Sequence, residues 1–338
     1  MRVIKRPLGR AGPLAVLTAA LVLGVATMAL ANPDPETFSL DNLSLSGLSG
    51  AALLNPGGPP PTVQLQPPLL GLLAADELDA VSPGIDAVQR DNILYFSVDR
   101  STMGLPGPLT PLDVAGQAIR NQQAADIFVT TNQIGVAAVP MGINMLRDNQ
   151  TLMGAQPLLP PMVFNTGAAQ DNLDALTFEE FDLDGDGTHD MPVYFSLRRG
   201  SPTLGTSGNS AADILLAPAG QVFGVFAPAA SMGLDDGDDL DALVLLDAGM
   251  AGAPDPGLDI ALFSLAPGSP TLVAGGLSAA DIFMTTFNGA SFVRYPSTAL
   301  ALCDGDNVDA LEVQIPEPTC LAVLIFGATL AGFRKRRR

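Results

Sequence analysis

Aromatic and histidine side chains are scarce in this sequence, which has no tryptophan, three tyrosines and one histidine among 338 residues. Serine and cysteine hydrolases need a base, and His189 lies in an acidic segment that suits a cation better. Tyr95 and Tyr194 fall within predicted strands, so few rings remain to line a sugar cleft. Paired carboxylates could still cleave a glycosidic bond. We nevertheless predict a protein that is not an enzyme, with no catalytic and no cofactor-binding residues.

Cysteine is equally rare, with Cys303 in the body of the chain and Cys320 near its C-terminus. Two such distant cysteines provide neither a disulfide framework nor the spacing of a thiolate metal site. We expect Cys303 to be a lone thiol, buried or unreactive.

Basic side chains are confined largely to the two chain ends. Of 16 lysines and arginines, four lie in residues 1–10 and five in residues 334–338. The chain between them carries seven arginines, no lysine and all 35 acidic residues, a net charge of −28. This composition excludes nucleic acid as a partner, since no basic face exists to neutralise phosphates. It favours solubility and divalent cations, and the 47% of hydrophobic residues argues against a disordered chain.

The N-terminus has the pattern of a secretory signal peptide. Four basic residues precede an apolar stretch at residues 14–28, and Ala29 and Ala31 form a small-x-small cleavage site. We therefore predict a signal helix in residues 1–31, removed by signal peptidase to leave a mature chain that starts at Asn32. The alternative is a retained N-terminal anchor.

The C-terminal segment, residues 315–338, combines three features in order. Pro316, Glu317 and Pro318 precede an apolar run at residues 321–333, and five basic residues end the chain. The run is shorter than the roughly 20 residues that a bilayer core requires, although terminal arginines can reach the interface. The alternative is an ordinary anchor that stays in place.

This tail resembles the PEP-CTERM sorting signal of exported bacterial proteins. The resemblance implies a short transmembrane helix that holds the protein in the inner membrane transiently, until an exosortase-type protease processes it. It further implies a Gram-negative envelope, final placement at the cell surface or outside the cell, and an exopolysaccharide or biofilm setting.

Between the two ends, residues 32–314 contain a repeat of about 68 residues, the interval between Phe195 and Phe263. Each unit contains a Phe-Ser strand, a Ser-x-Ala-Asp-like element and an Asp-x-x-Asp-Ala-Leu element, in units at about 38–81, 96–176, 195–243 and 263–311. Each has about four short apolar runs bounded by turn residues, which predicts an all-β domain of four-stranded units. The third unit should have strands at 193–197, 213–216, 222–226 and 242–246, and the best helix candidate is 113–126.

The order of these elements predicts a closed ring. The first unit lacks a preceding Asp-x-x-Asp-Ala-Leu strand, and the chain has one to spare at residues 309–313. If that strand, around Ala310, pairs with the strand around Phe38, four blades close into a propeller and hide their edges. The alternative is a pair of tandem β-sandwiches, in which the two segments would lie on separate sheets.

One acidic loop is a candidate calcium site. It contains alternating carboxylates, a glycine and a further acid, and the candidate ligands are Asp182, Asp184, Asp186, the Thr188 carbonyl and Asp190. The loop resembles those of dockerin, thrombospondin type 3 and FG-GAP proteins, in which such carboxylates wrap calcium. Val193 replaces the closing glutamate of an EF-hand, and the alternative is a solvated acidic turn.

Other polar motifs recur with the repeat. The acidic turns at 235–241 and 304–309 either cap backbone N–H groups or add cation sites. The pairs Ser210/Asp213 and Ser278/Asp281 are interpreted as turn clamps rather than catalytic pairs, because no base accompanies them.

Together these features predict an exported structural protein of the cell surface or extracellular matrix, an acidic β-scaffold braced by calcium. The alternative is a secreted propeller that binds or degrades polysaccharide. Polar residues that recur in each unit would favour the scaffold, whereas a ligand-sized pocket lined by non-repeating carboxylates would favour the alternative.

Overall fold

The computed structural model describes residues 34–56, 58, 60–82, 94–106, 113–130, 144–148, 171–178, 193–217, 223–247 and 252–314. These residues belong to one compact unit, Asp34–Gln314. The signal segment, the candidate calcium loop and the sorting tail lie outside the described residues. Within the described part of the chain, no helix is long and apolar enough to cross a membrane.

The described strands form four antiparallel sheets of four strands each. Blade 1 consists of β16 (Val308–Gln314), β1 (Asp34–Leu40), β2 (Leu53–Asn55) and β3 (Thr62–Leu65). Blade 2 consists of β4 (Leu78–Ser82), β5 (Leu94–Val98), β6 (Ile127–Thr130) and β7 (Asn144–Asp148). Blade 3 consists of β8 (Leu173–Phe178), β9 (Val193–Leu197), β10 (Ile214–Ala217) and β11 (Gly224–Ala227). Blade 4 consists of β12 (Leu240–Leu246), β13 (Ile260–Leu265), β14 (Ile282–Thr285) and β15 (Ser291–Tyr295).

The four blades form a ring, so the predicted four-bladed β-propeller is confirmed and the sandwich alternative is wrong. The first strand of each sheet, β16, β4, β8 or β12, is innermost and packs against the first strands of both neighbouring blades. Across the axis, β16 faces β8 and β4 faces β12. The repeat unit in the sequence starts at the second strand of one blade and ends with the innermost strand of the next, so it is shifted by one strand relative to the blade.

The two ends of the described unit close the ring, as predicted. Strand β16 pairs antiparallel with β1, so that Phe38 lies opposite Leu311 and Ser39 opposite Ala310. A blade built from both ends of this unit joins the first and last units of the repeat without leaving either inner edge open.

Every inner strand has a β-bulge at the same place. In blade 2, Leu78 lies opposite Val98 and Ala80 opposite Ser97, which leaves Asp79 as the extra residue. The same shift leaves out one aspartate in each of the other blades, namely Asp174, Asp241 and Asp309. A bulge bends the strand locally and re-aims the side chain of the extra residue. Here it affects the second aspartate of every Asp-x-x-Asp-Ala-Leu element.

Aromatic and aliphatic side chains fill the space within and between the blades. The phenylalanine of each Phe-Ser strand is fully buried, at Phe38, Phe96, Phe195 and Phe263. Phe96 stacks on Phe128 with ring centroids 5.7 Å apart, and Phe263 stacks on Phe283 at 5.6 Å. These contacts lie between the second and third strands of their blades, so the repeated motif supplies the core of each sheet.

Helices are short and lie in the connections. They are α1 (Val114–Ala118), α2 (Pro202–Ser207), α3 (Ala229–Met232) and α4 (Pro270–Gly275), with 3₁₀ turns at Pro67–Leu70, Gln123–Ala125 and Ser297–Leu300. The predicted helix at 113–126 is correct only at its start, where Asp113 accepts a hydrogen bond from the Gly116 N–H. It ends early because Asn121 has a left-handed backbone with φ of 54°.

Candidate functional site

The recurring serines form a ring of hydrogen bonds between blades. In each blade, the hydroxyl of the Phe-Ser strand donates to a backbone carbonyl of the next inner strand. The four bonds are Ser39 to Leu78 at 3.1 Å, Ser97 to Leu173 at 2.7 Å, Ser196 to Leu240 at 3.0 Å and Ser264 to Val308 at 2.6 Å. Each acceptor directly precedes a bulged aspartate. The repeated serine therefore joins one blade to the next.

The first aspartate of each Asp-x-x-Asp-Ala-Leu element caps backbone N–H groups. Asp238 accepts from the backbone N–H of Asp235 at 2.8 Å, and from the Thr271 N–H and hydroxyl at 2.9 and 2.5 Å. Asp306 accepts from the backbone N–H of Cys303 at 2.8 Å and of Ser46 at 2.9 Å. Both acidic turns therefore use this residue for turn capping, the first of the two roles considered from the sequence.

The repeated Ser-x-x-Asp pairs are turn clamps, as expected. Asp213 accepts from the Ser210 N–H and from the Ala229 N–H, both at 2.8 Å. Asp281 makes the equivalent pair of bonds to the N–H of Ser278 at 3.0 Å and of Ser297 at 2.7 Å. Each carboxylate holds two loops together.

The second aspartates have a different environment, on the propeller axis. The four side chains are nearly inaccessible, with exposures of 2% for Asp79, 3% for Asp174, 3% for Asp241 and 6% for Asp309. Their charges act on one another from different blades, as Asp241 does on Asp174, Asp79 and Asp309. We call these four residues the axial aspartates.

Two asparagines tie the axial aspartates into pairs. The Asn172 amide donates to Asp79 at 2.6 Å and to Asp174 at 3.4 Å. The Asn307 amide donates to Asp241 at 2.6 Å and to Asp309 at 3.0 Å. Each asparagine therefore links its own blade to a neighbouring one.

The asparagine position breaks the fourfold repeat. Blades 1 and 3 have Asn307 and Asn172 two residues before the axial aspartate, whereas blades 2 and 4 have Glu77 and Asp239. Opposite blades therefore match, and the axis has an approximate twofold pattern. Glu77 and Asp239 raise the number of carboxyl groups at the axis to six.

Burial raises the pKa of all these carboxyl groups. Burial raises the pKa of Asp241 to about 7 and that of Asp239 to about 6, although hydrogen bonds to each carboxylate lower its pKa in part. The pKa values of Asp79, Asp174 and Asp309 lie well above the usual range, first because of burial and second because of neighbouring carboxylates. A buried carboxylate without a counter-charge is costly.

Arg198 supplies a positive charge beside the cluster. Its guanidinium lies 2.9 Å from Asp99, at a side-chain exposure of 41%. Although burial lowers the pKa of Arg198, Asp174 and Asp79 raise it further, so the net shift is upward. Arg199 acts in the same way on Asp239, whose pKa both arginines lower. The net pKa of these buried carboxyl groups is nevertheless raised, so they take up protons more readily than exposed ones.

Four oxygens of the axial cluster are buried without a hydrogen-bond partner. They are one carboxylate oxygen (Oδ2) each of Asp174 and Asp309 and the amide oxygens of Asn172 and Asn307. The carboxyl group of Asp309 lies within hydrogen-bonding distance of those of Glu77 and Asp241. Two carboxyl groups can form a hydrogen bond only when one of them is protonated. Among the described residues, no three His, Cys, Asp or Glu side chains are arranged to hold a metal ion by themselves.

A surface pocket of about 310 Å³ lies between blades 4 and 1, beside Leu272 and Leu277. Its two acidic lining residues are already engaged, since Asp304 accepts from the Ser297 hydroxyl at 3.1 Å and Asp306 is a turn cap. Both acidic side chains of this pocket therefore take part in hydrogen bonds that hold the adjoining turn.

Of the remaining residues singled out in the sequence, the structure describes Cys303 but not the candidate calcium, sorting and cleavage residues. Cys303 is a free thiol, as predicted, but it is exposed, so burial is wrong and low reactivity stays a prediction. Its backbone N–H donates to Asp306. The candidate calcium ligands, the sorting motif at Pro316, and the cleavage site at Ala29 lie outside the described residues. The axial cluster was not predicted from the sequence. The pattern that could have indicated it is the aspartate that recurs within the apolar inner strand of every repeat.

No protein-family model, curated protein or solved structure matches the chain.

Proposed function

We propose that the chain is a non-enzymatic, exported structural protein of the cell surface or extracellular matrix, built on an acidic β-propeller. The observation that carries the proposal is that the polar residues recurring in each repeat hold the framework together. The serines that join the blades and the aspartates that cap the turns all bond to backbone groups. A repeat whose polar side chains maintain the framework suits a scaffold rather than a catalyst.

Export is supported by the sequence of the two chain ends. The signal segment with Ala29 and Ala31 would direct secretion through signal peptidase, and the tail would hold the protein transiently in the inner membrane. Cleavage by an exosortase-type protease at or near Pro316-Glu317-Pro318 would then release it. Exopolysaccharide or another matrix component is the proposed partner, in keeping with the resemblance of the tail.

Calcium is the proposed brace of this scaffold. The loop from Asp182 to Asp190, with Asp184, Asp186 and the Thr188 carbonyl, has the oxygen ligands that calcium prefers. A binding site on the folded protein would raise its stability by about 2.7 kcal/mol when calcium is at 100 times its Kd. The calcium-induced melting shift should shrink in Asp184→Ala and Asp186→Ala variants, and identical melting in calcium and chelator would leave the loop a plain acidic turn.

The processing step is tested by mass spectrometry of the mature protein from the producing cells. Peptides from the basic terminus should be absent, and coverage should stop at about residue 319.

The variant Pro316→Ala with Pro318→Ala should accumulate in the inner membrane with that terminus intact. A second Pro-acid-Pro triplet allows a matched control, Pro254→Ala with Pro256→Ala, which should be processed normally. Recovery of the basic terminus from the mature surface form would mean that the tail is a lasting anchor.

A further inference from the structure

The loops between the second and third strands of the four blades lie at one end of the propeller axis. Each loop begins with a backbone N–H that donates to the carbonyl two residues before an axial aspartate, namely Asp41 to Asn307, Asp99 to Glu77, Arg198 to Asn172 and Ala266 to Asp239. Because the four bonds are equivalent, the loops surround the same mouth of the ring. We call the described parts of residues 41–52, 99–126, 198–213 and 266–281 the loop face.

Large apolar side chains are exposed on the loop face. Five of them stand on three of the four loops: Leu43 at 85%, Leu45 at 74%, Met103 at 57%, Ile119 at 77% and Val273 at 72% exposure. Isolated exposed hydrophobic residues are ordinary, but several at one end of a molecule indicate a contact with another molecule.

Positive charge is confined to one half of the loop face. The loops of blades 4 and 1 contain no basic residue, whereas those of blades 2 and 3 contain Arg100, Arg120, Arg198 and Arg199. Two of these are engaged within the molecule, since Arg198 pairs with Asp99 at 2.9 Å and Arg199 donates to the Gly237 carbonyl.

The other two arginines are available to a partner. Arg100 and Arg120 are exposed, and within the described part of the chain neither has a carboxylate partner. Arg100 donates to the Ser201 hydroxyl at 3.4 Å, which places it at the boundary between blades 2 and 3. Met103 and Ile119 lie on the same loop of blade 2. Arginine, methionine and exposed aliphatic groups together are typical of protein–protein interfaces.

The opposite half of the loop face has complementary features. The exposed Asp304 lines the pocket of about 310 Å³ between blades 4 and 1, whose apolar lining includes Leu272, Val273 and Leu277. The Leu45 side chain lies against Gly305 beside this pocket. Blades 4 and 1 lie across the axis from blades 2 and 3, because β12 faces β4 and β16 faces β8. One half of the face is therefore basic and apolar, and the other is acidic and apolar.

We propose that a second copy of this chain docks on the loop face, forming a face-to-face dimer with twofold symmetry. A twofold axis that lies in the face brings the basic half of each copy onto the acidic half of the other, so both contacts form at once. Arg100 and Arg120 of one copy then meet Asp304 of the other. Met103 and Ile119 cover the apolar pocket.

Charge favours a second copy over an anionic membrane or polysaccharide. Either of these would be attracted by Arg100 and Arg120 but repelled by the acidic half of the same face, whereas a second copy matches both halves. The dimer goes beyond the proposed scaffold role and depends on neither export nor the loop at 182–190, because the residues that form it belong to the described unit.

The experiment is sedimentation velocity of the full-length protein over a concentration series. Arg100→Glu with Arg120→Glu places acid against acid at both contacts, and Asp304→Arg places base against base. Each variant should raise the Kd of the dimer at least about 100-fold, because like charges across an interface are strongly unfavourable. Arg294→Glu, on the outer strand β15, is the matched control and should dimerise like the wild type.

Mixing the two variants separates lost docking from lost folding. A copy with Asp304→Arg and a copy with both arginine substitutions present opposite charges at both contacts, so the equimolar mixture should dimerise with about the wild-type affinity. A mixture that stays monomeric, or variants that associate like the wild type, would overturn the proposal. A monomeric wild type would also overturn it, and sedimentation of that monomer with anionic lipid vesicles would assign the loop face to a membrane.

Discussion

The Ser264 hydroxyl donates a 2.6 Å hydrogen bond to the carbonyl oxygen of Val308, joining the last blade to the strand that closes the first. Because Val308 precedes the bulged Asp309, the bond fixes the seam of the ring beside the axial cluster. Three equivalent bonds join the other blades, so one serine per repeat sets the position of each blade relative to the next.

Ser264→Ala should lower the free energy of unfolding by about 1–3 kcal/mol, because a buried carbonyl oxygen loses its donor. Chemical denaturation of the purified protein measures the change. Ser101→Ala, at an exposed serine, is the control and should stay within about 0.5 kcal/mol of the wild type. Equal effects of the two substitutions would mean that the serine ring contributes nothing to stability.

Asp238→Ala should lower stability by about 2–3 kcal/mol, since its carboxylate accepts from Asp235 and twice from Thr271. Asp236→Ala, in the same turn but exposed, should change stability by no more than about 0.5 kcal/mol. The comparison should be made in calcium and in chelator. An Asp238 effect that disappears in chelator would show that the turn binds a cation instead of capping backbone N–H groups.

Stability in chelator should increase as the pH is lowered from about 8 to about 5.5. Burial raises the pKa of Asp241 from 3.8 to about 7, so the folded state binds more protons than the unfolded state within this window. The free energy of unfolding then falls as pH rises through the folded pKa. The Asp241→Asn variant should have a smaller difference between the urea midpoints at the two pH values. A variant with the same pH dependence as the wild type would remove Asp241 from this account.

Truncation after Asn307 should abolish cooperative unfolding, because it removes the whole of β16 and exposes the edge of β1. Truncation after Gln314 is the matched control and should preserve the melting transition, since the compact unit ends there. Circular dichroism melting distinguishes the two. A cooperative transition in the shorter chain would mean that the blades fold without the closing strand.

Ring closure could be predicted because it depends on a count of repeated elements. The spare strand around Ala310 needs a partner, and the strand around Phe38 is the one left without an inner neighbour. The strands of the third unit were placed to within two residues, as with the observed Val193–Leu197 and Ile214–Ala217, because short apolar runs between turn residues determine them.

The axial cluster could not be predicted because two aspartates of one motif have opposite environments. In the sequence Asp306 and Asp309 are equivalent acids at a strand entrance. Their roles diverge because a bulge in the β1–β16 register turns Asp309 to the axis, while Asp306 stays with the turn. That register depends on the partner strand, which is far away in the sequence. The exposure of Cys303 was missed for a similar reason, since it depends on how that turn is tied to Asp306.

The two aspartates also provide the most direct test of the account, which assigns the first to the framework and the second to the axis. The measurement is the free energy of unfolding of Asp306→Asn and Asp309→Asn in chelator at about pH 8. Asp306→Asn should destabilise the protein by about 1–3 kcal/mol, because its carboxylate caps two N–H groups. Asp309→Asn should raise the free energy of unfolding, because it removes a buried carboxyl group whose pKa is raised by burial and by Asp241. Changes of the same sign in both variants would contradict the account.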